Sequence, residues 1–490
     1  MNTASYEEVK KYENEYHLIP ICKEIYADVI TPITLLGKLE LIDKNYFLLE
    51  SMEGGERWGR YSFLGVQPLL QVTCKAGEVT IKNGNSTTKT VGDPADLLRA
   101  ILAQYKAPPI EGMPTFTGGF VGYFSYEMIG YAEPKLKLKS SDFNDFELML
   151  FDKIIAFDHL KQKISIIVNY MAKKGEQGYQ EALLEIDRTI HFIHAAPSIP
   201  RAKVDSNPVF TCNTSKEKYC EMVERTKRYI REGDIFQGVI SRRFEAKYQG
   251  SLLNTYRVLR TTNPSPYMYY IQSGDLQIAG ASPETMIKLV NGKLTTFPVA
   301  GTRPRGKTKE EDEALEVELL ADEKELAEHN MLVDLARNDV GKISKYGSVV
   351  VEDYMKIHRF SKVMHIASIV CGQIREDKDG CDTIKALLPA GTLSGAPKFR
   401  ACEIIDELEP VARGIYGGAI GYLDLSGNLD LCIAIRTAVK KGDMVYVQAG
   451  AGIVADSVPE KEYEECENKA GAVIEAIKQA SEVNEYDFTD

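Results

Sequence analysis

The chain has 490 residues, and its 59 Lys and Arg against 71 Asp and Glu leave a formal net charge of −12. At this length it can form two or more domains with sizeable cores, and its 44% hydrophobic content excludes an intrinsically disordered protein. An acidic surface repels phosphate backbones, so we expect no nucleic-acid partner; it also repels small anionic substrates unless a local positive charge or a cation collects them.

The N-terminal residues and the cysteines indicate where the protein works. The start, MNTASYEEVKKYENEYHLIP, lacks the basic and apolar parts of a secretory signal. No run of about 18 apolar residues is present, so we expect no membrane partner. The nine cysteines are scattered without a CxxC pair, which is typical of reduced thiols. We therefore expect a cytoplasmic protein.

The predicted elements of the first half are mostly strands. Residues 30–170 carry strand-like runs between Gly and Asn turns, such as NYFLLES (45–51), LLQVTC (69–74) and KIIAFD (153–158). A Pro-rich, non-periodic stretch at 195–210 predicts a linker between a first domain at 1–200 and a second at 210–480.

The second half mixes helices and strands. Helical spacing is found at 215–232, 309–339 and about 459–480, and strands are predicted at LQIAGAS (276–282), KLTTFPVAG (293–301), LDLCIAIRTAVKK (429–441) and MVYVQAG (444–450). Because no regular βαβ alternation appears, the pattern favours an α+β fold over a doubly wound sheet.

Two short motifs match nucleotide-binding patterns, but their context argues against both. The segment GTRPRGKT (301–308) matches GxxxxGK[ST], yet Pro304 removes a backbone N–H and the next turn is rich in carboxylates. The segment GAGIVA (450–455) matches GxGxxA, but no strand fits after it, as a Rossmann unit requires. A nucleotide-hydrolysing enzyme remains only an alternative.

Four carboxylates on two predicted helices are candidate metal ligands. Glu325 and Glu328 share a helix face with leucines, so we expect them to point inward. Glu462 and Glu465 lie with Lys469 on one face of the last helix. Buried carboxylates are costly unless paired or bound to a metal, and two converging pairs would suit Mg²⁺. Solvated or salt-bridged acidic pairs are the alternative.

Basic and hydroxyl side chains beside Gly-rich turns are candidate anion-binding groups. They are Thr302, Arg303, Thr392, Lys398, Tyr416, Arg436 and Thr437. Arg436 ends an apolar run, so we expect it at the end of a sheet, where its guanidinium can bind a carboxylate through two hydrogen bonds. Each of these could instead be a salt bridge or a turn residue at the core edge, and His365 lies in an apolar segment where a lone His is usually a core residue.

Longer segments resemble the large, chorismate-utilising subunit of anthranilate synthase along almost the whole chain. They are LLESMEGGERWGRYSFLG (48–65), NPSPYMYY (263–270), ASPE (281–284), PVAGTRPRG (298–306), ELAEHNMLVDLARND (325–339), LPAGTLSGAPK (388–398), GIYGGAIGYL (414–423) and QAGAGIVADSVPEKEYEEC (448–466). The resemblance implies a sandwich of antiparallel-rich sheets with helices outside. It also implies a lyase that forms anthranilate and pyruvate from chorismate and ammonia in tryptophan biosynthesis.

The resemblance also implies roles for individual residues. Glu328 and Glu465 would ligate Mg²⁺, and Glu325 and Glu462 would hold its waters. Glu284 would protonate the departing C4 hydroxyl and His365 would assist the elimination of pyruvate. Gln237 and Thr392 are the other two catalytic positions. The substrate-binding positions are Gly301, Thr302, Tyr416, Arg436, Gly450, Ala451, Gly452 and Lys469.

Two positions separate this chain from sister enzymes. Isochorismate and salicylate synthases, which add water, carry a Lys base where this chain has Gln237, and aminodeoxychorismate synthases carry a Lys nucleophile where it has Ala300. Both differences favour anthranilate as the product. An aminodeoxychorismate or isochorismate-type enzyme, an enzyme that stops at the aminated intermediate, and a non-catalytic tryptophan-binding regulatory subunit remain alternatives.

Partners follow from the same resemblance. No Cys lies in a Gly-rich glutaminase segment, so the ammonia would come from a separate glutamine amidotransferase small subunit. The family is inhibited by tryptophan, and the matching positions are Glu50, Ser51, Pro266, Tyr267, Met268, Gly421 and Tyr422. The alternative for these residues is a packing seam between the two halves of the chain.

Overall fold

The computed structural model describes residues 4–28, 30–51, 59–195, 208–359 and 363–483. The helices in these ranges are α1 Tyr6–Val9, α2 Pro32–Leu39, α3 Pro94–Ala103, α4 Ile129–Ala132, α5 Gly175–His194, α6 Lys216–Arg231, α7 Leu253–Thr262, α8 Lys309–Ala321, α9 Glu323–Gly341, α10 Gly380–Leu387, α11 Lys398–Leu408 and α12 Pro459–Gln479. The predicted linker at 195–210 lies mostly outside the described residues, so the division into two domains stays a prediction.

The strands of the first half are β1 Leu18–Tyr26, β2 Asn45–Glu50, β3 Tyr61–Val66, β4 Leu70–Lys75, β5 Glu78–Asn83, β6 Ser86–Val91, β7 Gly119–Phe124, β8 Phe146–Phe151, β9 Lys153–Asp158 and β10 Lys163–Met171. Those of the second half are β11 Thr211–Cys212, β12 Gln237–Lys247, β13 Tyr267–Ser273, β14 Leu276–Ser282, β15 Thr285–Val290, β16 Lys293–Thr296, β17 Val299–Pro304, β18 Val350–Val351, β19 Lys356–Arg359, β20 Val363–Ala367, β21 Val370–Gln373, β22 Gly395–Ala396, β23 Ala419–Asp424, β24 Leu429–Ile433, β25 Thr437–Lys441 and β26 Met444–Ile453.

The strands form two large antiparallel sheets and one small one. Sheet I has the order β1-β10-β9-β3-β2-β13-β14-β25-β26-β12-β11, with β22 paired to β12. Sheet II has the order β18-β21-β16-β15-β24-β23-β7-β8-β4-β5-β6, and sheet III is β17-β20-β19. Each large sheet therefore takes strands from both halves of the chain, and the halves are joined by main-chain hydrogen bonds through β2 to β13 and β7 to β23.

Sheets I and II pack face to face with helices on their outer faces. Along β2, Phe47 belongs to the core between the sheets, whereas Tyr46 and Leu48 belong to the core beneath the helices. Along β23, Ile420 and Tyr422 face the other sheet. Alternate residues of a strand thus belong to different cores, as expected for a strand that is buried on both faces. The predicted α+β sandwich with external helices is confirmed.

Two predicted strands are wrong in their extent, because the chain crosses between sheets within each. KLTTFPVAG divides into β16 of sheet II and β17 of sheet III, and LDLCIAIRTAVKK divides into β24 of sheet II and β25 of sheet I. The second crossing turns at Arg436, which has a φ of 53°. An apolar run that is buried throughout carries no signal of such a crossing, because periodicity cannot separate one buried layer from the next.

The long helix predicted at 309–339 is two helices. Between α8 and α9, Asp322 leaves the helical conformation and its carboxylate accepts hydrogen bonds from the backbone N–H groups of Lys324 (3.1 Å) and Glu325 (3.3 Å). Asp322 is thus the N-cap of the helix that carries Glu325 and Glu328. The predicted helices at 215–232 and 459–480 and the strands at 45–51, 69–74, 153–158, 276–282 and 444–450 are confirmed.

The described parts of the chain contain no helix that is both long and apolar enough to cross a membrane. All nine cysteines are free thiols, as the sequence predicts.

Replacing the cap residue should weaken α9. Asp322→Ala removes both cap hydrogen bonds and the ion pair with Arg303 (2.9 Å). We expect a loss of about 1–2 kcal/mol in the free energy of unfolding, measured by urea denaturation. The matched control is Asp334→Ala on the same helix, whose carboxylate is 75% exposed and pairs with Arg337. Equal urea midpoints for the two variants would contradict the assignment of the cap.

Candidate active site

Glu284 and Thr392 form a hydrogen-bonded pair at the edge of the sandwich. Glu284 lies where the chain crosses from β14 of sheet I to β15 of sheet II, and its backbone C=O accepts from Ile433 N–H at 3.0 Å. The Thr392 hydroxyl donates to the Glu284 carboxylate at 2.7 Å. Burial raises the pKa of Glu284 to about 7, against the lowering effects of Thr392 and the Lys469 charge. Glu284 can therefore hold a proton near neutral pH.

A small apolar cavity explains the desolvation of Glu284. It has a volume of about 50 Å³ and is lined mainly by carbon, including Met286, Phe297, Leu332 and Leu335. A carboxylate at the wall of such a cavity gains little hydration, so its neutral form is favoured.

Strands β12 and β26 bring the predicted glycines beside polar side chains. Lys469 donates to the C=O of Gly450 at 3.1 Å. A Cβ atom on Gly450 would lie 2.9 Å from the Tyr416 hydroxyl, and one on Gly452 would lie 2.7 Å from the Gln237 side-chain nitrogen. Only glycine allows both approaches. Ala451, between them, is fully buried.

Gln237 carries an unused acceptor at this place. Its side chain is 4% exposed, and its Oε1 has no hydrogen-bond partner among the described residues. A buried amide oxygen without a partner is costly, so a donor bound in the site would be stabilised there.

Arg436 and Lys469 line an open cleft of about 340 Å³ together with Glu465 and Asn468. Arg436 takes its left-handed backbone conformation where the chain crosses from β24 to β25, and its C=O accepts from Ala281 N–H at 3.2 Å. Burial lowers the pKa of Arg436, while the neighbouring Tyr416 and Glu465 act in the opposite direction. Two cations at one cleft can collect an anionic ligand on an otherwise acidic protein.

His365 belongs to the site through sheet III. Its Nδ1 lies 3.0 Å from the Gly301 carbonyl oxygen and 3.0 Å from the Thr302 hydroxyl. A Cβ atom on Gly301, where φ is 68°, would lie 3.3 Å from a carboxylate oxygen of Glu325. The strand pair β17–β20 is therefore next to α9.

The four predicted metal-binding carboxylates are electrostatic neighbours. The pKa of Glu328 is raised by burial and then by the charges of Glu325 and Glu465. The pKa of Glu462 is raised by burial and by Glu465, and lowered by a hydrogen bond from Ser457. The two helices thus concentrate negative charge between them.

A complete metal centre is not assembled from these side chains. Within the described ranges no three or more His, Cys, Asp or Glu side chains are grouped so that they could hold a metal ion. Instead Lys469 pairs with Glu465 at 2.5 Å, and Arg303 lies 3.7 Å from Glu325. Burial raises the pKa of Glu328, but its carboxylate oxygens, once ionised, are the donors that a hard divalent cation requires.

Two predicted anion-binding cations are held by carboxylates instead. Arg303 pairs with Glu318 and Asp322, and Lys398 with Asp339 at 2.8 Å. Both residues therefore form salt bridges, which is the alternative given above for these positions.

The discounted nucleotide motifs also take other structures. Carboxylates of α8 occupy the N–H groups of the GTRPRGKT segment, with Asp312 accepting from Gly306 at 2.9 Å and Glu311 from Lys307 at 2.7 Å. The GAGIVA segment begins inside strand β26 rather than in a turn before a helix.

The structure adds two residues that the sequence analysis did not select, Arg413 and Glu409. They form a buried ion pair beneath Tyr416. Both lie between α11 and β23, outside any helix, so their i, i+4 spacing before GIYGGAIGYL carried no signal of the pair.

The predicted tryptophan positions lie where β13 of sheet I meets the neighbouring strands. Met268 pairs with Glu50 of β2, and Tyr267 donates to Asp430 at 2.7 Å, opposite Tyr422 of β23 in sheet II. Glu50 is 5% exposed and accepts from Arg260 at 3.0 Å. Ser51, Pro266 and Gly421 border these residues in sequence. A tryptophan site and a packing seam are both compatible with this arrangement.

Comparison with known proteins gives a consistent result. A family model described as chorismate binding enzyme matches residues 44–475. The chain is 49% identical to "Anthranilate synthase component 1" of Acetivibrio thermocellus, over 97% of this chain and 99% of that one. It is 45% identical to the protein of the same name in Aquifex aeolicus, over 98% and 99%.

Solved structures give the same picture. Anthranilate synthase component I from Streptococcus pneumoniae superposes with a TM-score of 0.77 at 37% identity, over 92% of this chain and 98% of that one. The menaquinone-specific isochorismate synthase of Escherichia coli gives 0.68 at 18% identity, over 97% and 99%. The second likeness concerns the fold alone.

The proton on Glu284 can be observed directly. In infrared difference spectra of wild type against Glu284→Gln, the carboxylic acid band should titrate with a pKa of about 7. In Thr392→Val it should titrate at higher pH, because the hydrogen bond that favours the carboxylate is lost. Thr296→Val is the matched control, since this hydroxyl lines the same cavity but donates to the Met286 carbonyl. A band titrating near pH 4–5, the ordinary range of a glutamate, would contradict the assignment.

Proposed function

The chain belongs to the chorismate-binding enzymes, among them to the anthranilate synthase component 1 proteins, and on this premise we propose how its side chains convert chorismate to anthranilate. The enzyme is a lyase of tryptophan biosynthesis that forms anthranilate and pyruvate. The proposal concerns the roles of its residues, its metal, its partner and its regulation.

The observation that carries the mechanism is the buried carboxyl of Glu284. Its pKa of about 7 lets it donate a proton to the C4 hydroxyl of chorismate as that group leaves as water. Ammonia then attacks C2 of the ring. The hydroxyl of Thr392 orients the acid and stabilises the carboxylate left behind.

The anionic groups of chorismate fit the cations of the cleft. Arg436 and Tyr416 bind the enolpyruvyl carboxylate, and Lys469 assists together with the backbone of Gly450, Ala451 and Gly452. Arg436 offers a planar pair of donors suited to a carboxylate. Gly301 and Thr302 border the ring, and His365 beside them assists the loss of pyruvate that makes the ring aromatic.

Two side chains favour ammonia over water and the ortho over the para product. The amide of Gln237 cannot act as a base that removes a proton from water. Ammonia is a nucleophile without such a base, and the unpartnered Oε1 of Gln237 can accept a hydrogen bond from its N–H. Ala300 is 8% exposed and offers only a methyl group, so no covalent amine adduct forms there.

Glu328 and Glu465 would hold Mg²⁺, with Glu325 and Glu462 binding its waters. The support is the concentrated negative charge between α9 and α12. When bound, the ion would supply a Lewis acid for the ring carboxylate of chorismate.

Ammonia comes from a glutamine amidotransferase small subunit, in keeping with the "component 1" in the relatives' names. Tryptophan binds at Glu50, Ser51, Pro266, Tyr267, Met268, Gly421 and Tyr422 and inhibits the enzyme. The protein acts in the cytoplasm.

The activity is tested with the purified chain, chorismate, ammonium and Mg²⁺ by following anthranilate fluorescence. We expect anthranilate with ammonium and none with glutamine alone. Glu328→Gln and Glu465→Gln should each lower kcat/KM about 100-fold or more and weaken Mg²⁺ activation, because each loses a metal ligand. Glu323→Gln and Glu475→Gln, exposed on the same two helices, are the controls.

Accumulation of a 4-amino or hydroxylated product would instead identify a sister activity. Unchanged turnover in both ligand variants would refute the metal assignment.

Tryptophan should inhibit anthranilate formation, and Glu50→Gln should raise the half-inhibiting concentration at least about tenfold. The reason is that a carboxylate within the proposed site would pair with the ammonium of tryptophan, and hydrogen bonds to charged groups contribute about 1.5–3 kcal/mol. Glu78→Gln is the control, since its carboxylate is exposed and pairs with Lys89. Equal inhibition of wild type and Glu50→Gln would argue for the packing-seam alternative.

A further inference from the structure

We infer that Arg413, fixed by Glu409, is a positioning residue that clamps together the two chain segments carrying Thr392 and Gln237. This inference rests on the proposed function, because it concerns the geometry of the same site. Arg413 is 3% exposed and does not line the cleft at Arg436 and Lys469, so it acts through its neighbours and not on the substrate.

The guanidinium of Arg413 bridges two separate segments through their carbonyl oxygens. Nη1 donates to the C=O of Leu393 at 2.5 Å, and Nη2 donates to the C=O of Val239 at 2.6 Å. Leu393 directly follows Thr392, and Val239 lies two residues after Gln237. A single rigid group thereby fixes the distance between the hydroxyl that orients Glu284 and the amide that faces Gly452.

Glu409 holds the guanidinium in this orientation and ties it a second time to strand β12, the strand of Val239. It accepts from Arg413 Nε at 2.9 Å and Nη2 at 2.5 Å. The same carboxylate accepts from the backbone N–H of Ser241 at 2.7 Å and from its hydroxyl at 2.8 Å. Ser241 pairs with Gly450 in the β12–β26 ladder.

The guanidinium of Arg413 lies over two aromatic rings, one of which belongs to the site. The guanidinium carbon lies 4.7 Å from the centre of the Tyr126 ring and 5.6 Å from that of Tyr416. A planar guanidinium suits this place between two rings better than the point charge of a lysine does. Tyr416 is thereby held at its place beside Gly450.

A buried pair of this kind is not explained by stability alone. Taking both charges out of water costs about as much as their attraction returns, so such pairs are often replaceable by apolar residues without loss of stability. The N–H groups of Arg413 donate to Leu393, Val239 and Glu409. Leu393 and Val239 lie on segments that carry candidate site groups, and Glu409 fixes the guanidinium between them. A role in geometry accounts for this convergence.

The test compares Arg413→Lys and Glu409→Gln with wild type. Lysine keeps the charge but cannot span both carbonyls or stack, and glutamine keeps an acceptor for Ser241 but loses the charge that orients Arg413. We expect kcat/KM for chorismate to fall about 10- to 100-fold in each, mainly through kcat, because small displacements of positioned groups have effects of this size.

A second readout separates positioning from a structural role. If Thr392 is displaced, its hydrogen bond no longer favours the Glu284 carboxylate, so the falling limb of the pH–rate profile should move to higher pH in both variants. The other charged groups near Glu284 are Lys469 and, across the cavity, Asp339, and both variants leave these unchanged.

The matched control is Arg225→Lys, whose partner Glu407 lies on α11 close to Glu409 but at the surface. Arg225→Lys should keep the kcat/KM of wild type, and the falling limb of its pH–rate profile should stay in place. Far-ultraviolet circular dichroism and urea midpoints establish that each variant folds; if Arg413→Lys does not fold, Glu409→Gln decides.

The inference is overturned if Glu409→Gln keeps kcat/KM within about twofold of wild type. It is also overturned if activity falls but the pH limb stays in place. A wild-type protein that forms no anthranilate would refute the proposed function instead, so the two failures are distinct.

Discussion

The chain crosses between the two large sheets at two neighbouring places, and these crossings determine where the site can form. The chain passes from sheet I to sheet II at Glu284, between β14 and β15, and returns from sheet II to sheet I at Arg436, between β24 and β25. The crossings are joined by hydrogen bonds from Ile433 N–H to the Glu284 carbonyl and from Ala281 N–H to the Arg436 carbonyl. The proposed acid and the proposed carboxylate-binding cation therefore lie on one rigid feature of the backbone.

The charges around this feature resolve the difficulty that an acidic chain poses for an anionic substrate. Arg436 gives the cleft a local positive charge, and Lys469 lies there paired with Glu465. The carboxyl pKa values of Glu328 and Glu462 are raised by burial and by the nearby charge of Glu465. The pKa of Glu284 is raised by burial beside the apolar cavity alone, with no contribution from a like charge. Burial and like charge thus produce two environments for carboxyl groups: one suited to holding a proton and one suited to a cation.

Much of this arrangement can be predicted from the sequence. Long amphipathic segments such as α6 and α12 carry their own signal, and spacing places Glu325 and Glu328 on a half-buried face of α9. Glu465 of α12, in contrast, is exposed. The crossings at residues 296–299 and 433–437 cannot be predicted from the sequence, because an apolar run buried in two successive layers has no break in its pattern. Arg413 and Glu409 were missed because a buried ion pair depends on tertiary contacts with β12 and the turn at Leu393, which spacing does not encode. Arg303 was assigned to anion binding, although nearby carboxylates on α8 and at the cap of α9 already neutralise it.

The mechanism depends on one property, that Glu284 acts as an acid whose proton is retained by burial. Its most direct test is the pH dependence of kcat/KM for chorismate, measured at a constant concentration of unprotonated ammonia so that the ionisation of the nucleophile does not contribute. An acid is active while it holds its proton, so the account predicts a rate that falls as the pH rises through about 7, with no such limb in the residual activity of Glu284→Gln. A rate that stays level up to about pH 9, or the same limb in Glu284→Gln, would contradict it.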